Sequence, residues 1–129
     1  GESGGGGCEW GVRGSAEAAG TAVPGMAVMP VPVPEYATIE SGFTMGDRRE
    51  GTSTAVVNDG FFDSFKANGG THMFAGHDHN NNFITEYEGV TLGYMTKSSY
   101  NCYFDFDALG GTVLTLDTDN HVTTDIVPF

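Results

Sequence analysis

The sequence predicts an α+β domain in which an antiparallel or mixed β-sheet carries one packed helix, and three observations predict it. Residues 83–87 and 90–95 alternate apolar and polar side chains on either side of Glu88-Gly89, and residues 112–116 and 122–127 do so across Asp117-Thr118-Asp119-Asn120, the pattern of two hairpins. Between Asn58-Asp59 and Asn68-Gly69-Gly70, the side chains of Phe61, Phe62 and Phe65 fall on one side of a helical repeat. Residues 26–29 form a short apolar run, and Pro30, Pro32 and Pro34 behind it lack the donors of a central strand, which places this stretch at a sheet end or edge.

In chain order, residues 1–25 form a glycine-rich head that holds Gly1, Gly4 to Gly7, Gly11, Gly14, Gly20 and Gly25. Such a composition buries too little surface to order itself, so the head is expected to be a flexible arm. Cys8 and Trp10 stand out in it, because an indole in a glycine tail has a use only if its ring finds a pocket. The domain proper is expected over residues 26–129, with residues 37–57 as loop after a helical turn near Glu35. Asp59 or Asn58 caps the helix, which runs from Gly60 to about Ala67, and residues 71–75 form a short strand. Residues 97–111 make an aromatic loop around Cys102, with Tyr100, Tyr103, Phe104 and Phe106 packing as a satellite cluster.

Length and charge exclude several classes of function. A chain of 129 residues fits one core. Its net charge of −12 opposes nucleic acid and anionic membrane surfaces, and no run of about 18 apolar residues is present to span a bilayer. The chain begins at Gly1 rather than Met, which suggests a processed or truncated product, and a secreted, extracellular location is expected. In that setting Cys8 and Cys102 are expected to pair, tying the head to the body. No Asn-x-Ser/Thr sequon occurs, whereas the many serines and threonines leave room for an O-linked glycan. Spaced carboxylates at Asp105 and Asp107 and at Asp117 and Asp119 lack the ligand spacing of an EF-hand, and calcium is not expected there.

The chemistry concentrates in Gly76-His77-Asp78-His79-Asn80-Asn81-Asn82. An extended backbone would point His77 and His79 the same way with Asp78 opposite; a turn at Gly76 would make the two rings diverge. Imidazole is a common ligand for zinc, iron and manganese, and two-metal hydrolytic sites hold their ions about 3.5–4 Å apart. Two histidines alone also fit an ordinary polar loop. Asn80, Asn81 and Asn82 supply hydrogen-bonding groups for a small anion or sugar, and Asp47-Arg48-Arg49-Glu50 holds the densest positive charge of the chain, as a solvated loop would.

Gly76-His77-Asp78-His79 with its flanking strands resembles the C-terminal end of the calcineurin-like metallophosphoesterases. Pro32-Val33-Pro34-Glu35-Tyr36 is similar to the Pro-Leu-Pro-Glu-Tyr element of their purple-acid-phosphatase-related branch, and Asn58-Asp59-Gly60-Phe61-Phe62-Asp63 to its helix opening. The three motifs keep their order over residues 26–117. The resemblance implies the C-terminal half of a four-layer sandwich and a dinuclear site in which His77 and His79 would be residual ligands, and it brings the loop of Arg48 and Arg49 near that site, where either could meet an anion. The family's Asp-x-His, Gly-Asp-x-x-Asp and Gly-Asn-His-Asp/Glu motifs do not precede this region. Pro30 stands where the family places a further histidine ligand, and two ligands fall short of the three or four of a stable zinc site.

A half-sandwich leaves one sheet face to be covered by the head, by another copy or by a separately encoded half. The expectation is a secreted, non-catalytic structural or assembly protein on a degenerate phosphoesterase half-fold. It would self-associate, up to filaments, through the arm and the exposed strand, with Trp10, Met26 and Val28 at the contact. The alternatives are a metal-dependent phosphoesterase fragment whose remaining ligands come from another chain, and a small-anion or sugar-binding module.

Overall fold

The computed structural model describes residues 24–129. The glycine-rich arm, with Cys8 and Trp10, lies outside the described residues, as does the expected Cys8–Cys102 bond. Cys102 itself is exposed.

Six strands and one helix make up the domain. Strand β1 (Gly25–Met29) leads through a 3₁₀ turn (Pro34–Thr38) and a long loop to helix α1 (Phe61–Ala67), followed by β2 (Gly70–Ala75), β3 (Ile84–Tyr87) and β4 (Val90–Tyr94). A second 3₁₀ turn (Phe106–Ala108) precedes β5 (Gly110–Leu116) and β6 (Val122–Pro128). Strands β1 to β4 form one sheet in the order β1-β2-β4-β3, parallel across β1, β2 and β4 and antiparallel between β4 and β3, while β5 and β6 pair alone. The fold is therefore α+β with a mixed sheet. The parallel ribbon was not legible as such: Met73-Phe74-Ala75 and Leu92-Gly93-Tyr94 are buried as continuous runs, the signature of strands covered on both faces.

Local chemistry explains the elements. The chain enters α1 through Gly60, which takes φ 77° at the cap position; the expected caps act one step earlier, the Asn58 side chain accepting from the Gly60 N–H at 2.9 Å and Asp59 from Phe61 at 3.1 Å. Glu88 and Gly89 turn the β3–β4 hairpin with φ of 48° and 82°, a primed turn that suits the strand twist. Gly70 opens β2 under the helix, where a Cβ would stand 2.2 Å from the Phe65 ring, so only glycine lets the helix sit this low.

Phe61, Phe62 and Phe65 bury the helix against Met73, Leu92 and Val90, and the core continues through Tyr36, Phe83 and Tyr94. The Tyr36 ring meets Tyr94 edge-on at 5.3 Å, and Phe83 meets Tyr94 at 5.1 Å. On the opposite sheet face Phe74 is fully buried beside Gly93, whereas Met26 is 45% and Val28 60% exposed on β1, the outermost strand. Hydrogen bonds from the Thr96 N–H to Thr112 Oγ1 (2.8 Å) and from the Gly110 N–H to the Lys97 carbonyl (3.0 Å) tie the β5–β6 hairpin to the main body.

Candidate functional site

The carboxyl ends of β1, β2 and β4 fall in register at Met29, Ala75 and Tyr94. Loops leaving these ends meet at one sheet edge, the place where open parallel sheets receive ligands. The Gly76 N–H donates to the Met29 carbonyl at 3.1 Å and the Met95 N–H to the Ala75 carbonyl at 2.8 Å, which brings the histidine loop between residues 30 and 95.

His77 then takes φ 84°, in the left-handed region that non-glycine residues seldom occupy and that clusters at functional sites. Of the two arrangements open in the sequence, this is the turn, and the rings go to different partners. His77 is exposed, its Nδ1 3.5 Å from Asp78 Oδ1. His79 stacks on Tyr103 with ring centroids 4.6 Å apart, and its Nδ1 lies 3.0 Å from the Tyr103 carbonyl. That contact fixes the tautomer with Nδ1 protonated and leaves Nε2 as the outward acceptor.

Asp78, between them, is only 3% exposed. Its Oδ2 accepts from the Tyr94 hydroxyl at 2.6 Å and from the Ser53 N–H at 2.9 Å. Burial alone would raise the pKa of this carboxyl, but the hydrogen bonds from Tyr94 and Ser53, with His77 nearby, outweigh it and hold the group below its ordinary value. Burial first, and then the carboxylate it serves, push the Tyr94 hydroxyl far above the ordinary phenol range.

The side chains of Asn81, Asn82 and Arg48, expected to face a ligand, hydrogen-bond within the protein, whereas Asn80 is engaged through its backbone and its Oδ1 is buried without a partner among the described residues. Asn81 Oδ1 accepts from the Arg49 and Glu50 N–H groups at 2.9 and 3.0 Å, and Asn82 Oδ1 from the Asp47 N–H at 2.8 Å. The Asn80 N–H donates to Glu50 at 2.7 Å. Arg48 donates to the Ile39 carbonyl at 2.8 Å. The physical reason is burial: Asn81 and Asn82 are 1% and 7% exposed, and the 47–50 loop beside them has backbone donors that need acceptors. Arg49, not Arg48, carries the ion pairs, to Asp47 and Asp105.

The residues present do not fit a dinuclear metal centre. Among the described residues, no third His, Cys, Asp or Glu ligand atom converges on His77 and His79. Asp78 Oδ2 is already shared by two donors, and Pro30, whose carbonyl lies 3.7 Å from where a Gly76 Cβ would be, has no ligating side chain. A separate group of three potential ligands, Asp117, Asp119 and His121, lies exposed in the β5–β6 turn with its atoms within 4.8 Å of one another. There Asp117 Oδ1 accepts the Asp119 and His121 N–H groups at 2.8 and 2.9 Å, which closes the turn.

Over 82 residues the chain is 42% identical to Probable inactive purple acid phosphatase 29 of Arabidopsis thaliana, and over 82 residues 35% identical to Probable inactive purple acid phosphatase 14 of the same plant. This region is homologous to the purple acid phosphatases. Each match takes in 62% of this chain but only 21% and 20% of the relatives, so the chain spans about a fifth of the length of the curated relatives it matches. That extent fits a piece of the C-terminal half of the calcineurin-like metallophosphoesterase fold. No family model matches the chain, and no solved structure matches it.

The purple-acid-phosphatase-like motifs have visible structural jobs. Tyr36, which ends Pro32-Val33-Pro34-Glu35-Tyr36, is completely buried, and its hydroxyl donates to the carbonyls of Met73 at 2.8 Å and Gly93 at 3.1 Å, clasping β2 to β4. Sequence reasoning missed Tyr94, Ser53 and Tyr103 as the groups that hold the histidine loop. Only Tyr94 left a trace, as a tyrosine at the core-facing end of a strand; Tyr103 lies 24 residues from His79 and no local pattern joins them.

Proposed function

We propose that this chain is a non-catalytic, phosphoesterase-derived module whose histidine edge is held by hydrogen bonds rather than by metals, and which associates with further copies of itself. One observation carries the first part: His77 and His79 stand at the family's position without a third protein ligand among the described residues. The relatives' own names, inactive phosphatases, support it. Purified chain supplied with zinc, manganese or iron is expected to hydrolyse a generic phosphate monoester no faster than metal alone. A rate well above that blank, and lost in a His77→Ala, His79→Ala double variant, would defeat the reading.

The association rests on β1. Among the described residues it is a parallel strand at the sheet edge, with Met26 and Val28 exposed, whereas parallel strands ordinarily have both faces covered. Residues 1–25 reach this strand directly, and capture of one copy's arm by the next would be head-to-tail, a contact that builds filaments when it does not close. The extracellular location belongs to the same proposal. Light scattering and negative-stain imaging of the intact chain are expected to show oligomers or filaments that Val28→Lys, or removal of residues 1–23, disperses into subunits. A compact monomer in the unmodified protein is the result that rules association out.

A second reading, in which another chain supplies the missing ligands, has one feature in its favour: the tautomer of His79, with Nε2 directed away from its protein partner. It requires phosphatase activity to appear on mixing with that chain.

A further inference from the structure

The chain between β4 and β5 departs at Lys97 and returns at Gly110, where the Gly110 N–H donates to the Lys97 carbonyl at 3.0 Å and closes the base of a loop. One side of this loop is fastened to the domain. Tyr103 stacks on His79, and its hydroxyl accepts from the His79 N–H and donates to Glu50, both at 3.2 Å, while Asp105 pairs with Arg49 at 3.1 Å. A loop tied at its base and along one side presents its other side in a fixed shape, and aromatic side chains held in a fixed shape are the common anchors of interfaces.

That other side is aromatic. Tyr100, Phe104 and Phe106 pack on one another, with centroids 5.7 Å apart for Tyr100–Phe104, 6.4 Å for Tyr100–Phe106 and 5.0 Å for Phe104–Phe106. None of the three belongs to the core beneath the helix, and Tyr100 is 65% and Phe106 75% exposed. Rings that gather and still face water form an apolar patch that a partner can cover. Cys102 stands within the patch, exposed and held at φ 60°.

The complement to this patch is in the same sequence. Cys8 is the chain's other cysteine and Trp10 its one tryptophan, and they stand two residues apart, the spacing that separates Cys102 from Tyr100 and from Phe104. Residues 1–23 join the domain at the amino end of β1, whereas the aromatic loop follows the carboxyl end of β4, which runs parallel to β1, so arm and loop belong to opposite ends of the sheet. That polarity is the one a head-to-tail contact between copies requires. The 17 residues from Cys8 to Gly25 extend to about 55 Å at most, enough to reach past the end of the sheet into a neighbour.

We propose that the aromatic loop of one copy receives the arm, residues 1–23, of a second copy, with Trp10 laid on the Tyr100–Phe104–Phe106 cluster and Cys8 placed to form a disulfide with Cys102. The inference rests on the reading that copies associate through the arm, and deepens it by naming a receiving surface separate from the β1 edge. The oxidant is a small disulfide such as glutathione disulfide. The Cys102 thiolate attacks one of its sulfurs and releases one glutathione thiolate; the Cys8 thiolate then attacks the Cys102 sulfur of the mixed disulfide and releases the second. One S–S bond is broken and one is formed, and the two protons of the protein thiols end on the two glutathiones.

The test mixes two full-length variants, Cys8→Ser and Cys102→Ser, in equal amounts in a glutathione redox buffer. Intact mass is expected to find the mixed disulfide dimer, Cys8 of one copy to Cys102 of the other, ahead of either homodimer. Adding Tyr100→Ser and Phe106→Ser to the copy that keeps Cys102, or Trp10→Ala to the copy that keeps Cys8, is expected to slow its formation roughly tenfold. A receiving thiol moved to another exposed position, Val57→Cys in a chain with Cys8→Ser and Cys102→Ser, is expected to react as slowly. Equal rates at Val57→Cys and Cys102, no effect of the aromatic substitutions, or an internal Cys8–Cys102 bond in the unmodified chain with no mixed dimer would each overturn the inference. Association can fail or stand apart from it: oligomers that light scattering still finds in a chain carrying Tyr100→Ser and Phe106→Ser, without a mixed disulfide, would sink this surface and leave the β1 edge as the contact, whereas monomers with no cross-link at any position would sink both.

Discussion

Tyr36→Ala is expected to destabilise the domain by about 4 kcal/mol, the cost of replacing a fully buried aromatic ring by a cavity, which is much of the stability of a domain this size. The ring packs edge-on against Tyr94 and lies 6.5 Å from Phe83, so two buried aromatics lose a shared neighbour at once. The hydroxyl has a separate role. It bridges the Met73 carbonyl on β2 and the Gly93 carbonyl on β4, and burial, slightly offset by the Gly93 contact, raises its pKa far above the ordinary phenol value, so it remains a donor at every working pH. Tyr36→Phe keeps the ring and is expected to cost about 1–2 kcal/mol, the penalty for leaving buried acceptors without a donor. Urea denaturation midpoints separate the two terms; if Tyr36→Ala and Tyr36→Phe shift the midpoint equally, packing of the ring contributes nothing and the account of this motif is wrong.

Much of the fold was legible because its signals are local. The helix showed itself through Phe61, Phe62 and Phe65 between polar and glycine punctuation, and the β3–β4 hairpin through Glu88-Gly89. What was not legible is what depends on distant partners. Ala27-Val28-Met29 and Met73-Phe74-Ala75 pair in parallel across 45 intervening residues, and nothing within either run states its neighbour. The site divides in the same way. His77 and His79 were found by their spacing, and Asp78 between them passed as a bystander, yet it is the buried member of the trio. The asparagines look like surface chemistry because their side chains are polar; a carboxamide that accepts from two backbone N–H groups is as much an interior residue as a leucine, and composition cannot tell the two settings apart.

Asp78 carries the other large effect, and its sign with pH is fixed by the direction of its pKa. A carboxyl held below its ordinary value in the folded protein stabilises the fold at every pH above the unfolded value of about 3.9, and loses that contribution as pH falls through the folded pKa. The melting temperature is therefore expected to be insensitive to this group from pH 7 to about 5 and to fall below about pH 4, with the histidine loop losing its anchor to Ser53 and Tyr94. Asp78→Ala removes the acceptor permanently and strands the Tyr94 hydroxyl and the Ser53 N–H in the interior, at a cost of about 3 kcal/mol near neutral pH. Asp78→Asn keeps one carbonyl oxygen for these two donors but turns an amide toward His77, and is expected to cost less while abolishing this part of the acid limb. The comparison is decisive because the two variants share the loss of charge and differ in the acceptor. If thermal melts from pH 7 to pH 3 leave the acid limb of Asp78→Asn identical to the wild type, Asp78 is not the group that titrates, and the hydrogen-bonded anchor assigned to the histidine edge is in error.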